Sequence, residues 1–153
     1  MGKCISKKSV QLDKLDPKNI KKMIPSIKEL AYVIKVYDGD TVTIIYENES
    51  DHRVYKSSVR LRGIDAPEMR TKNKTEKEIA LKAKEEINNL VYNKYIRLEN
   101  IDYDKYGRIL ADIYIKNINV SEYLIKKRLG VKYGGGTKQI PKDWKIFYET
   151  GVM

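Results

Sequence analysis

Cysteine is nearly absent. Cys4 stands alone among 153 residues, so no disulfide can form within the chain. Long apolar runs are missing too: none approaches the roughly 18 residues that a membrane-spanning helix needs. Met1 to Gln11 is polar and basic, without the apolar stretch of a secretory signal. These absences lead us to expect a chain made and kept on the cytosolic side. Phe and Trp occur once each, against twelve Tyr. Tyrosine joins a flat face to a polar tip, which suits stacking on bases and equally suits half-buried positions in strands, where most of the twelve are expected. Acidic side chains are in the minority, 21 against 31 Lys plus Arg, for a net charge of +10. That surplus favours a polyanionic partner, either nucleic acid or an anionic membrane face. Apolar content is ordinary at 41%, which excludes compositional disorder, and the length suits one compact domain.

Residues 1–29 read as an N-terminal extension and linker. They are Lys-rich, broken by Pro17 and Pro25, with a short apolar pattern (Ile20, Met23, Ile24, Ile27) that predicts a turn or two of helix. The domain proper is expected over 30–136, followed by a short C-terminal segment, 137–153. Alternation predicts strands over Leu30–Tyr37, Thr41–Tyr46 and Val54–Arg62, with a tight Asp38-Gly39 turn between the first two. Thr75–Tyr92 reads as a helix: Thr75 and Glu78 form a capping box, and Ile79, Ala80, Ala83, Ile87, Leu90 and Val91 recur at helical spacing. Two more strands follow, Tyr95–Asn100 and Arg108–Ile115. A second helix is capped by Asn119 and stopped by Gly130, and Pro141–Glu149 reads as a last short helix. Three strands, a helix, two strands and a helix is the order of an α+β OB-fold, a five-stranded β-barrel with two to three helices.

Three segments carry chemistry: Asp38-Gly39-Asp40-Thr41, Arg60-Leu61-Arg62-Gly63-Ile64-Asp65-Ala66-Pro67-Glu68, and Asp104-Lys105-Tyr106-Gly107-Arg108. Phosphodiester cleavage needs an activated water, charge balance on the pentacovalent phosphate and help for the departing oxygen. Carboxylates hold hard cations and accept protons, and arginines clamp phosphate oxygens in pairs. The segments supply Asp40, Asp65 and Glu68 for the first task, Arg60 and Arg108 for the second. Arg60 and Arg62, two apart on a strand, are expected to share a face unless a bulge intervenes.

In these segments, from roughly Leu30 to Gly130, the chain resembles the thermonuclease family, whose prototype is staphylococcal nuclease. The resemblance implies a calcium-dependent nuclease acting on DNA and RNA with little sequence preference, leaving 3′-phosphates, and favouring single strands. It implies Ca²⁺ held by Asp40, Asp65 and the main-chain oxygen of Ala66, with Thr41 and Glu68 acting through waters and Asp38 in support. Glu68 is implied as general base, and Arg60 and Arg108 as the phosphate clamp. Lys105 and Tyr106 are implied to contact the terminal phosphate or nearby sugar. Tyr133 stands near the point where the prototype flanks a base with two tyrosines, displaced by one position and followed by three glycines. Two other readings compete: a non-catalytic nucleic-acid-binding module of the same fold, and a membrane-anchored basic adaptor. A monomer is expected.

The start of the chain reads as an address. Gly2 with Ser6 fits N-myristoylation, and Cys4 is a natural palmitoylation site beside Lys7 and Lys8. A single myristoyl chain binds membranes only marginally, so the second acyl chain and the lysines complete the anchor on the cytosolic face of a membrane surface. In eukaryotic cells a C-terminally fluorescent fusion should line membranes, and Gly2→Ala should render it diffuse. An unchanged distribution for Gly2→Ala removes the lipid address.

Overall fold

The computed structural model describes residues 24–27 and 30–153. Gly2, Cys4 and most of the expected N-terminal helical turn lie outside them. Ile27, at that pattern's end, forms an isolated antiparallel bridge with Asn48.

Six strands build the main sheet: β1 (Ala31–Val36), β2 (Thr41–Glu47), β3 (Val54–Leu61), β5 (Tyr95–Tyr103), β6 (Ile109–Ile115) and β7 (Ile118–Asn119). The order is β3-β2-β1-β5-β6-β7, all antiparallel neighbours, and a parallel pairing of β3 with β6 closes the first five into a barrel. This is the OB topology expected from the element order. Two short strands absent from that expectation, β4 (Ile64–Asp65) and β8 (Val131–Lys132), form a second sheet outside the barrel. Inward positions recur at every second residue, apart from one register shift after Val33 in β1: Ala31, Val33 and Val36; Val42, Ile44 and Tyr46; Val59 and Leu61; Ile109, Ala111 and Ile113.

Helix α1 (Lys74–Val91) covers the barrel with Ile79, Ala80, Ala83, Ile87 and Val91. Its cap is Asn73 rather than Thr75: the Asn73 side chain accepts from the backbone of Thr75 and Glu76 and from the Thr75 hydroxyl. Asparagine caps at least as well as threonine, and Glu78 pairs instead with Lys82 and Lys145. Helix α2 (Val120–Lys126) is capped by Asn119 as expected. It ends at Lys126, short of Gly130, in a Schellman turn where Arg128 takes the left-handed conformation (φ 58°) and Leu129 N–H donates to the Leu124 carbonyl. Gly130 is required for closeness instead, since a Cβ there meets Ile64 Cδ1 at 2.5 Å. Helix α3 (Trp144–Thr150) packs on α1 and adds Trp144 to the common core.

Gly39 also serves close approach. Its φ is not in the left-handed range that an Asp-Gly hairpin turn of type I′ uses. A Cβ there lies 2.8 Å from Ala66 Cβ and 3.0 Å from Ala83 Cβ, so the β1–β2 turn rests directly on α1 and on the segment after β4. At Gly134 a Cβ meets nothing within 4 Å. Gly39→Ala should lower the unfolding free energy by about 1–3 kcal/mol through overpacking, while Gly134→Ala leaves it nearly unchanged. Urea midpoints of the two variants check this.

Candidate active site

Barrel closure sets the site. Arg60 on β3 is paired on one side with Thr41 of β2 and on the other with Leu110 of β6. Its side chain is pinned by four contacts. Nη1 donates to the carbonyls of Leu61 and Ile64, both at 3.0 Å. Nη2 forms ion pairs with Asp40 Oδ2 at 3.0 Å and Asp65 Oδ1 at 3.4 Å. One guanidinium nitrogen therefore gathers two carboxylates that are 25 residues apart in sequence.

Asp40 ends the β1–β2 turn, which Asp38 shapes by accepting the Asp40 N–H. Thr41 is buried and donates its hydroxyl to Asp40 Oδ1 at 2.9 Å. Burial pushes the Asp40 carboxyl up to about 6, with Asp38 and Asp65 adding to the rise and Arg60 and Thr41 opposing it. Asp65 lies on β4, 3% exposed, and Ala66 follows it, also buried. Glu68 is 68% exposed along its side chain, on the rim, and its backbone N–H is held by Glu76.

Across the cleft, the β5–β6 turn is organised by Asp104. Its carboxylate accepts the N–H groups of Tyr106 and Arg108 and pairs with Arg108 Nε at 2.6 Å. These bonds outweigh burial and hold Asp104 below the usual carboxylate range. Arg108 and Lys105 both reach over the exposed Tyr106 ring. From the third side comes Tyr133, just past β8, whose ring lies 5.8 Å from the Arg60 guanidinium.

The cleft between these walls is about 690 Å³. Of the residues expected in a site, Asp38, Asp40, Arg60, Asp65, Ala66, Glu68, Lys105, Tyr106, Arg108 and Tyr133 all line it, while Thr41 stays behind Asp40. Arg62 lines it too, but from the turn just past the end of β3 rather than from the strand face expected, with Nη2 bonded to the Asn100 and Leu110 carbonyls. One lining residue has no counterpart in the expectations. Lys138 follows the Gly134–Gly136 run, and its Nζ sits 2.8 Å from Asp65 Oδ1 and 3.7 Å from Glu68. Burial opposes its charge, but the Asp65 carboxylate more than compensates and raises the ammonium above its ordinary value. No periodic element connects Lys138 to the motifs, so no spacing in the sequence points to it.

Residues 58–146, more than half of the chain, match the family described as staphylococcal nuclease homologues. The match begins after the Asp38–Thr41 turn. Similar curated proteins include a probable endonuclease of Schizosaccharomyces pombe, 32% identical over 127 residues, covering 68% of this chain and 55% of the relative. An uncharacterized endonuclease of Haemophilus influenzae is 31% identical over 106 residues, 69% of this chain and 53% of its own. Endonuclease YncB of Bacillus subtilis is 31% identical over 112 residues, 69% of this chain and 50% of its own. The chain thus spans about half the length of the curated relatives it matches. With the barrel closed at Arg60 and the match running through both walls of the cleft, the chain belongs to the staphylococcal nuclease homologue family.

Proposed function

We propose that this chain is a calcium-dependent nuclease that hydrolyses phosphodiester bonds of DNA and RNA with little sequence preference, breaking the bond to the 5′ oxygen. The observation that carries the reading is the convergence of a buried and a half-buried carboxylate, an exposed glutamate and two arginines on one cleft.

The donor set suits a hard cation. Among the described residues no three His, Cys, Asp or Glu side chains gather to hold a metal, so protein ligation rests on two carboxylates, Asp40 and Asp65, with the Ala66 carbonyl completing it. All are oxygens, and few of them, which leaves room for waters and phosphate oxygens in the flexible coordination that Ca²⁺ accepts. When bound, the cation supplies positive charge that polarises the phosphate and its attacking water.

The remaining roles belong to the chain. Glu68, at the solvent-facing rim, takes the proton of the attacking water. Arg60 stays fixed by the Leu61 and Ile64 carbonyls and offers charge toward the scissile phosphate. Arg108 spends Nε on Asp104, so its terminal nitrogens are the part left for phosphate oxygens near the leaving group. Lys105, Tyr106 and Tyr133 line the path of the strand. Among them are no elements for base-edge reading, so strand binding should be electrostatic with aromatic stacking.

Plasmid and single-stranded DNA should be cut with calcium and left intact with chelator. Glu68→Gln should lose turnover, by roughly 10²-fold or more, while binding the strand as before. Full activity in chelator sinks the mechanism, and a binding module without catalysis would cut under neither condition.

The carboxylate pair carries a stability cost that a cation relieves. Asp40 titrates near 6 in the fold against 3.8 for the free side chain. The metal-free fold therefore bears no penalty below pH ~4, loses stability as pH rises toward 6, and carries the full penalty at pH 7. In chelator at pH 7, Asp40→Asn should raise stability by about 2–3 kcal/mol. At pH 4 the two proteins should melt alike. Thermal unfolding at both pH values measures the difference.

A further inference from the structure

Two cations touch Asp65 Oδ1: Arg60 Nη2 at 3.4 Å and Lys138 Nζ at 2.8 Å. They differ in how they are held. The Arg60 side chain is 12% exposed and also bonded to two carbonyls and to Asp40. Lys138 is 45% exposed, and its contacts are the carboxylates of Asp65 and Glu68. It arrives on a strap rather than on an element. Gly135 and Gly136 take φ of +99° and +80°, and a Cβ at any of the three glycines meets nothing within 4 Å. The Tyr133 hydroxyl donates to the Gly136 carbonyl at 3.2 Å and steadies the strap above the cleft. Glycine backbone with open surroundings gives slack, and a half-exposed ammonium leaves its partner at little cost.

We propose that Lys138 is a tethered counter-cation of the metal seat: its ammonium occupies the Asp65–Glu68 side of the site in the metal-free protein, and the entering divalent cation must displace it. The inference rests on the proposed metal site of Asp40 and Asp65. A monovalent, half-exposed ammonium loses to a dication on the same carboxylate oxygens, but its displacement subtracts from metal affinity. Lys138 thereby sets the metal concentration at which the site fills. Asp40, Asp38 and Arg60 face the same seat but are fixed by the barrel, so Lys138 is the movable charge.

The test is a calorimetric titration of Ca²⁺ into the full chain without nucleic acid, comparing wild type, Lys138→Met and Lys132→Met. Lys132 is an exposed lysine on β8, and its replacement removes the same unit of charge without touching the seat. Lys138→Met should bind calcium about five- to tenfold more tightly, and Lys132→Met should stay within about twofold of wild type. Equal affinities for wild type and Lys138→Met overturn the proposal and leave the metal site standing. Equal tightening by both variants overturns it as well, because the effect is then one of general charge. Absence of calcium binding in all three overturns both the metal site and the role of Lys138.

Discussion

The floor of the cleft hangs on one guanidinium at the seam of the barrel. Val59 and Arg60 of β3 pair with β2 on one edge and with β6 on the other, so the barrel closes where Arg60 stands. The Arg60 backbone is therefore fixed by the fold, and its side chain in turn fixes the site. It ties the β1–β2 turn through Asp40, the β4 strand through Asp65 and the connecting turn through two carbonyls. Removing it would leave two carboxylates facing each other in a poorly hydrated corner, the arrangement that costs most in a folded protein.

Even with Arg60 in place the Asp40 carboxyl is raised, chiefly by burial, with Asp38 and Asp65 adding to the rise. A sequence selected only for stability would place an amide or a methyl group there. The surroundings instead hold the carboxylates in position. Gly39 and Ala66 are small so that the Asp40 turn and the Asp65 segment approach each other and α1, and the Thr41 hydroxyl fixes the Asp40 oxygen. Close packing, local hydrogen bonds and the Arg60 ion pairs together keep the cluster in place. The proposed cation seat calls for such preorganisation.

How far the sequence revealed this differs by residue, for physical reasons. The alternating strands and the α1 face were legible because each depends on a period that survives in the chain alone: Ile79, Ala83 and Ile87 must share a face whatever covers them. Most residues that line the cleft were legible because three compact motifs carry them. Caps and stops were harder, because neighbouring residues compete for one job. Asn73 outcompetes Thr75, and Arg128 accepts the left-handed position while Gly130 is held for clearance against Ile64. The strands β4 and β8 are two residues each, too short for any period to announce them. Lys138 was illegible altogether: its place at Asp65 depends on how three glycines route the chain, and glycine leaves that route unspecified.

The charge of the whole molecule and the charge of the cleft floor act in opposite directions. A net charge of +10 draws a polyanion toward the surface from a distance. At contact, Asp40, Asp65 and Glu68 repel the phosphate that arrives, and Arg60 is already committed to two of them. Long-range attraction and short-range repulsion have different remedies. Salt screens the first over a Debye length of about 10 Å at 0.1 M, whereas the second arises mainly at Asp40 and Asp65, which are shielded from solvent and screened little, and Arg60 and Lys138 offset it only in part. Strand capture and strand engagement at the floor of the cleft are therefore separable. On the proposed reading, Lys105, Tyr106 and Arg108, on the opposite wall, would hold a strand without a metal, and the scissile phosphate would descend to Arg60 only once a divalent cation is seated on the floor. In the proposed nuclease, this makes the metal a condition for productive approach as well as for chemistry.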